Sequence, residues 1–351
     1  MILGIIGGGQ LGQMMTDSAH KMGLKVYVLD PNPKCPCSFN ADKLIIKPYS
    51  EIDDLANMVD IITYEFENVD RHALKKHLNK VPQGIKALEI TQNRNIEKEN
   101  AQKLGLKTPR FKRVKNNLQE AILEIGFPSI LKTACDGYDG HGQYVFNSRE
   151  DLVLIDPSLE YILEEKILFD YEISVITARS TNGDLKFFPI PFNVHKHGIL
   201  HLSIVDNRVP IEIMEKAKAY AKNFVVKNDF YGIIAIEFFV KGNELYFNEF
   251  APRPHNSGHF TIEACQVSQF DASIKTILGQ DIGNTSLIHN ALMVNLLGQD
   301  MKGNIFNEES DKYIHLYHKD VAKVNRKMGH ITYLNFTEDT FQFIDEHIKR
   351  D

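Results

Sequence analysis

Glu237 and Glu249 stand twelve positions apart in the run Ile233-Ile-Ala-Ile-Glu-Phe-Phe-Val-Lys-Gly-Asn-Glu-Leu-Tyr-Phe-Asn-Glu249. Two β-rich apolar stretches flank Lys241-Gly242-Asn243-Glu244, which predicts a hairpin. The midpoint of the glutamates is Asn243, and a turn centred there sets both carboxylates opposite each other on one face. Bare paired carboxylates repel, and burying them without compensation is costly. A hard divalent cation removes that cost, and Mg²⁺ commonly takes one or two carboxylates together with substrate phosphates. The pair therefore points to Mg²⁺ and a nucleoside triphosphate. The plain alternative is a solvated hairpin edge with incidental acids.

The residues after the hairpin sharpen this reading. Asn248-Glu-Phe-Ala-Pro-Arg-Pro-His-Asn-Ser-Gly-His259 sets Arg253, His255, Asn256 and Ser257 among two prolines and a glycine. Neither a helix nor a central strand tolerates that composition. It predicts a stiff polar loop beside the metal ligand, suited to a small anion. Upstream, Phe127–Thr133 reads as a short strand with one cation, Lys132, able to reach phosphates. Asp136-Gly-Tyr-Asp-Gly-His-Gly-Gln143 follows it with glycines at 137, 140 and 142, a loop whose N–H groups can lie along phosphates. Tyr161–Ile167 mixes apolar residues with acids, as a linker strand offering its backbone to a base edge would. A surface lysine, a structural His195 and a salt-bridged Glu172 are the ordinary alternatives for those three residues. Near the C-terminus, Lys319, Arg326 and Lys327 flank a predicted turn; a guanidinium grips phosphate in a forked geometry, and an exposed basic loop is the other reading.

Gly7-Gly-Gly-Gln-Leu-Gly12 fits G-x-G-x-x-G between a predicted strand and helix, with Asp30 near where a dinucleotide site holds its ribose. Alone this favours an NAD-dependent oxidoreductase. The pattern itself requires only that helix N-terminal amides approach some anion.

Six blocks carry a family resemblance over essentially the whole chain: Gly7–Gly12, Thr63-Tyr-Glu-Phe-Glu-Asn-Val69, Gly137–Gln143, Asn248–His259, Ser268-Gln-Phe270 and Arg326-Lys-Met-Gly-His330. The chain resembles the ATP-grasp carboxylate–amine ligases, and among them the N5-carboxyaminoimidazole ribonucleotide synthetase family of purine biosynthesis. The resemblance implies ATP and Mg²⁺ as cofactors, and bicarbonate and 5-aminoimidazole ribonucleotide as substrates. It implies carboxylation of the amine through carboxyphosphate, with ADP and phosphate released. It places Arg94 and Lys132 on the phosphates under a loop of Gly137, Tyr138, Asp139, Gly140, His141, Gly142 and Gln143. It puts Glu164, Glu165, Lys166 and Ile167 at the adenine, Glu172 at the ribose, His195 nearby, and Asn248 beside Glu249. Gln10, Leu11, Glu65, Ser257, Lys319, Arg326 and Lys327 would hold the ribonucleotide. Arg253, His255 and Asn256 would grip bicarbonate, with Tyr138, Asp139 and His141 over the reacting centre. Family members usually carry Arg or Lys where His141 stands. A formate-dependent glycinamide ribonucleotide transformylase shares the two-glutamate hairpin and the Arg-Pro-His loop; the Tyr-Glu-Phe-Glu-Asn block and Asn256-Ser257 favour the carboxylating family.

These residues need a frame. At 351 residues the chain has room for two or three domains. A net charge of −6 argues against a nucleic-acid or membrane surface. Cys35, Cys37, Cys135 and Cys265 lack metal-tetrad spacing and read as free thiols of a cytoplasmic protein. The apolar N-terminal run is too short to span a membrane. Alternating strand and helix patterns through residue 91 predict a Rossmann-like α/β domain. Mixed patterns over 92–279 suit an ATP-grasp domain, and 280–351 a small β-rich one, an α/β and α+β multidomain chain in all. The family implies a homodimer.

Overall fold

The computed structural model describes residues 1–135, 142–302, 304–307 and 309–348. The chain opens with four short aliphatic strands, β1 (Ile2–Ile6), β2 (Lys25–Leu29), β3 (Lys43–Ile45) and β4 (Ile61–Tyr64). They form a wholly parallel sheet in the order β3-β2-β1-β4. Ile6 stands opposite Tyr64, so the chain leaves β1 and β4 side by side. Gly7, with φ 97°, turns the chain from β1 toward the helix Gln10–Lys21, and Glu65 emerges from β4 against that turn. The carboxyl ends of parallel strands are where such sheets receive ligands.

After the helix Arg94–Lys103 come β5 (Phe111–Val114), β6 (Ser129–Thr133), β7 (Gln143–Phe146) and β8 (Tyr161–Glu165). They form an antiparallel sheet ordered β5-β8-β6-β7. The largest sheet is built from β9 (Tyr171–Arg179), β10 (Leu185–Phe187), β11 (Phe192–Lys196), β12 (Ile199–Val205), β13 (Gly232–Lys241), β14 (Glu244–Ala251), β15 (Ala291–Leu297), β16 (Lys312–Leu316) and β17 (Lys327–Leu334). Its order is β14-β13-β9-β11-β12-β15-β17-β16, with β10 on β9. The strands after Gly279 thus extend the central sheet through the β12–β15 pairing. β17 begins at Lys327, ahead of the apolar run Ile331–Leu334, because pairing with β15 and β16 buries its polar His330 as well.

The helix Ile211–Lys227 buries Ile213, Ala217, Ala221, Phe224 and Val225, a stripe of helical period. That stripe packs on Phe238, Phe247 and Phe250 of the β13–β14 hairpin. Each fully buried phenylalanine contributes roughly 1.5–3 kcal/mol of hydrophobic stabilisation, so one face of the hairpin is anchored and the other is left for chemistry. Among the described residues no helix is long and apolar enough to cross a membrane.

Candidate active site

The hairpin turns on Gly242-Asn243, with Lys241 paired to Glu244 and Gly242 at φ 55°, the positive value a primed two-residue turn needs at its first position. The turn is therefore centred between Gly242 and Asn243, not on Asn243. A regular ladder from it would oppose Glu237 with Asn248 and send Glu249 to the other face. A β-bulge intervenes: Phe238 pairs with Phe247 but Ile236 with Phe250, leaving Asn248 and Glu249 together opposite Glu237. Bulges re-aim side chains in this way. Asn248 Nδ2 lies 3.4 Å from Glu237 Oε2.

The two carboxylates are electrostatically unequal. Burial, then the charge of Glu249, pushes Glu237 up to about 7. Burial would raise Glu249 too, but Arg94, then Lys132 and Lys98, outweigh it and hold Glu249 down to about 2. Arg94 Nη1 sits 2.8 Å from Glu249 Oε2. Near neutral pH the pair thus tends to keep a proton on Glu237, and a hard divalent cation can take that proton's place. The donor set fits Mg²⁺.

Lys132, on β6, is buried, with its Nζ 2.9 Å from Glu164 Oε2. Lys98 approaches the other oxygen of Glu164 at 3.6 Å. His195 on β11 faces Glu172 on β9 at 3.2 Å; burial would lower its pKa, but the Glu172 contact prevails and raises it. Phe169 and Phe239 stack with centroids 4.6 Å apart and 6° between planes, forming a flat apolar wall.

In the polar loop, Arg253 grips Glu67 through Nε and Nη2 at 2.5 and 3.2 Å. His255 Nδ1 meets Ser257 Oγ at 2.8 Å, and its Nε2 lies 3.4 Å from Glu237. Burial, then neighbouring Arg253, pushes His255 down to about 3, so the ring is neutral. Asn256 is buried, and among the described residues neither of its amide atoms has a partner. Gln269 holds the loop by accepting from His255 N–H and donating to its carbonyl, at 2.9 and 2.8 Å.

At the first sheet, Gly9 N–H and Gly12 N–H donate to the two oxygens of Glu65, and Gly8 N–H to Asp30. The anion at this helix N-terminus is the protein's own carboxylate. A Cβ on Gly9 would fall 2.4 Å from Glu65 Oε1, so the glycine is needed for this internal approach. Asp30 also accepts from Asn32 N–H and Tyr49 Oη. These contacts give the G-x-G-x-x-G pattern a use that requires no dinucleotide. Across from it, Lys319 Nζ donates to Gln10 Oε1 at 2.7 Å and to the Lys327 carbonyl at 2.6 Å. Arg326 pairs with Asp320 at 3.1 Å.

One cavity of about 1210 Å³ joins these groups. Its wall includes Gln10, Leu11 and Glu65 at one end and Lys319, Arg326 and Lys327 beside them. Glu237, Asn248, Glu249, Arg253, His255 and Asn256 line its middle, and Arg94, Lys132, Gln143, Glu172 and His195 complete it. Several expected contacts are not on this wall. Ser257 is fully buried and spent on the His255 ring. The Glu164 side chain is buried between Lys98 and Lys132, and Glu165 pairs with Arg110. Lys166, Ile167 and Gly142 are likewise absent from the lining. Gly137, Tyr138, Asp139, Gly140 and His141 lie outside the described residues. Glu67, Glu97, Phe169, Phe239 and Lys323 line the cavity without having been singled out by the sequence, although Glu67 lies within the Thr63–Val69 block.

Residues 1–92 match the ribonucleotide synthetase preATP-grasp domain, 99–270 the ATP-grasp domain, and 291–342 the phosphoribosylaminoimidazole carboxylase C-terminal domain. N5-carboxyaminoimidazole ribonucleotide synthase of Staphylococcus aureus (strain COL) is 42% identical over 347 residues, 95% of this chain and 92% of that protein. The crystal structure of the S. aureus synthetase with ADP superposes with a TM-score of 0.93 at 40% identity, covering 99% of this chain and 97% of the other. That of the Aspergillus clavatus synthase with ADP and 5-aminoimidazole ribonucleotide gives 0.84 at 27% identity, covering 99% and 96%. Matched over 95% of its length by a relative 42% identical and over 99% by a solved structure of the same fold, the chain belongs to the N5-carboxyaminoimidazole ribonucleotide synthase family of ATP-grasp ligases.

Proposed function

We infer that this protein uses ATP and bicarbonate to carboxylate 5-aminoimidazole ribonucleotide to N5-carboxyaminoimidazole ribonucleotide, releasing ADP and phosphate, in de novo purine biosynthesis. The observation that carries the reading is the bulge that sets Glu237 and Glu249 on one face of a cavity whose far end holds Lys319 and Arg326. The cavity so has separate charge for a triphosphate and for a second phosphate.

Glu237 and Glu249 would hold Mg²⁺, which would supply neutralising charge for the triphosphate. The chain's own residues position the rest. Arg94 and Lys132 face the phosphates, and the Phe169–Phe239 wall suits a planar base, with Glu172 accepting from ribose hydroxyls. Arg253 brings a forked cation to bicarbonate and the carboxyphosphate formed when bicarbonate attacks the γ-phosphate. Asn256 offers an uncommitted amide, and neutral His255 can donate or accept one hydrogen bond without adding charge. The amine then captures the carboxyl group, or CO₂ released from it, within reach of these dipoles. Lys319, Arg326 and Lys327 hold the ribonucleotide phosphate, beside Gln10 and Leu11. Tyr138, Asp139 and His141 cover the centre by family likeness. The division 1–91, 92–279 and 280–351, a homodimer, and a cytoplasmic setting belong to the same reading.

Phosphate release from ATP tests it. Release should require 5-aminoimidazole ribonucleotide with bicarbonate, and be absent with glycinamide ribonucleotide and formate; the reverse preference would refute the reading.

A further inference from the structure

Arg94, Glu97 and Lys98 stand at positions i, i+3 and i+4 of the helix Arg94–Lys103, so one helix face presents all three. Each ends on a different group of the bulged segment Phe247–Phe250. Arg94 binds the Glu249 carboxylate at 2.8 Å. Glu97 Oε1 accepts the Phe250 N–H at 2.7 Å. Lys98 Nζ donates to the Asn248 carbonyl at 2.6 Å and the Phe247 carbonyl at 3.3 Å.

A bulge interrupts the strand ladder and strands backbone groups that a regular hairpin would pair. β14 is moreover an edge strand, and the helix supplies partners for the backbone groups of its bulged segment. Glu97 and Lys98 are each only 2% exposed, and Lys98 has no place on the cavity wall. Burying an acid and an amine is costly unless every contact is used. Glu164 adds the remaining counter-charge for Lys98 while its other oxygen holds Lys132. Polar groups this deep, aimed at three consecutive peptide units around Glu249, have a positional purpose.

We propose that Glu97 and Lys98 are positioning residues for the divalent cation: they clamp the bulge so that Glu249 stays on the face of Glu237. Released from the clamp, the hairpin relaxes toward its regular register, which turns Glu249 away. The proposal rests on the reading of Glu237 and Glu249 as metal ligands.

The test uses Mn²⁺ as an electron paramagnetic resonance probe of the full-length protein with ADP, alongside ADP binding in EDTA. Groups that orient metal ligands typically change affinity 10–100-fold when removed. Lys98→Met and Glu97→Ala should weaken Mn²⁺ binding in the ADP complex by roughly that factor, with ADP affinity in EDTA unchanged. Glu97→Gln keeps an acceptor for the Phe250 N–H and should restore Mn²⁺ affinity. Unchanged Mn²⁺ affinity in both disruptive variants overturns the clamp, as does a parallel loss of metal and metal-free nucleotide binding. If Lys98→Met does not fold, the Glu97→Ala and Glu97→Gln pair decides alone. Failure of the wild-type protein to bind Mn²⁺ with ADP would instead refute the metal reading itself.

Discussion

Arg253 and Glu67 are joined through two nitrogen–oxygen contacts of 2.5 and 3.2 Å, tying the polar loop after β14 to the segment that leaves β4. Both groups line the cavity, and the pairing fixes the guanidinium plane before any substrate arrives. The burial of Glu67 would raise its pKa, but Arg253 overrides it and the carboxyl stays ionised.

Glu67→Gln should therefore leave Arg253 charged but less firmly oriented. A charge-assisted hydrogen bond contributes roughly 1.5–3 kcal/mol, so kcat/KM for bicarbonate should fall about tenfold or more. Steady-state kinetics with varied bicarbonate checks this, and an unchanged value removes Glu67 from the site.

Glu237→Gln and Glu249→Gln should each abolish turnover, yet move stability in opposite directions when divalent cations are chelated. Glu237 has a folded pKa near 7, above its unfolded value, so its contribution is fully present below pH ~4.5 and lost as pH rises through about 7. Its neutral replacement should stabilise the protein at pH 8 by about 1–3 kcal/mol and have little effect at pH 4.5. Glu249, held low by Arg94, contributes stability above pH ~4.5 that is lost as pH falls toward its folded pKa. Glu249→Gln should accordingly destabilise at pH 8. Denaturant titrations at the two pH values read both signs.

Arg326→Ala should raise KM for the ribonucleotide about ten- to a hundredfold, from the same range for a charge-assisted hydrogen bond. Arg326→Lys keeps the charge without the fork and should fall between. The guanidinium already rests against Asp320, so the unliganded fold should keep its melting temperature. An unchanged KM in Arg326→Ala would put the phosphate elsewhere.

His259 and His330 are fully buried, their rings 4.8 Å apart, and burial drives both well below the ordinary histidine range. Each contributes stability that is present above pH ~6.5 and lost as pH falls below it, by up to about 1.4 kcal/mol per pH unit per suppressed proton. His330→Gln retains a partner for Tyr317 Oη, now bonded to His330 Nδ1 at 2.8 Å. Its melting temperature should decline less steeply than wild type between pH 6.5 and 5. Parallel curves would show that His330 accepts a proton freely in the fold.

Much of this architecture was legible in the residues. Short aliphatic runs marked β1, which enters Gly7, β2, which ends at Asp30-Pro31, and β4, and the period of Ile211–Lys227 marked its buried stripe. The paired glutamates and the Arg-Pro-His loop marked residues that the fold brings together on the cavity wall. The β14 bulge was not legible, because an extra residue in a strand leaves no compositional trace. Lys98 sits in a strongly polar helix, where a charged residue reads as solvated until the sheet is packed against it. The glycine motif specified an anion without saying whose, and the answer, Glu65, comes from a strand 53 residues beyond Gly12.

That β15–β17 continue the central sheet has a mechanical consequence. Lys327 starts β17 and Glu237 lies in β13, so these two parts of the cavity wall belong to one hydrogen-bonded lattice. The span between the Glu237 carboxylate and Lys327 is consequently a gauge length, graduated by strand registers. Altering which substrate length fits would require slipping a register somewhere from β13 to β17, and softening a linker would not accomplish it.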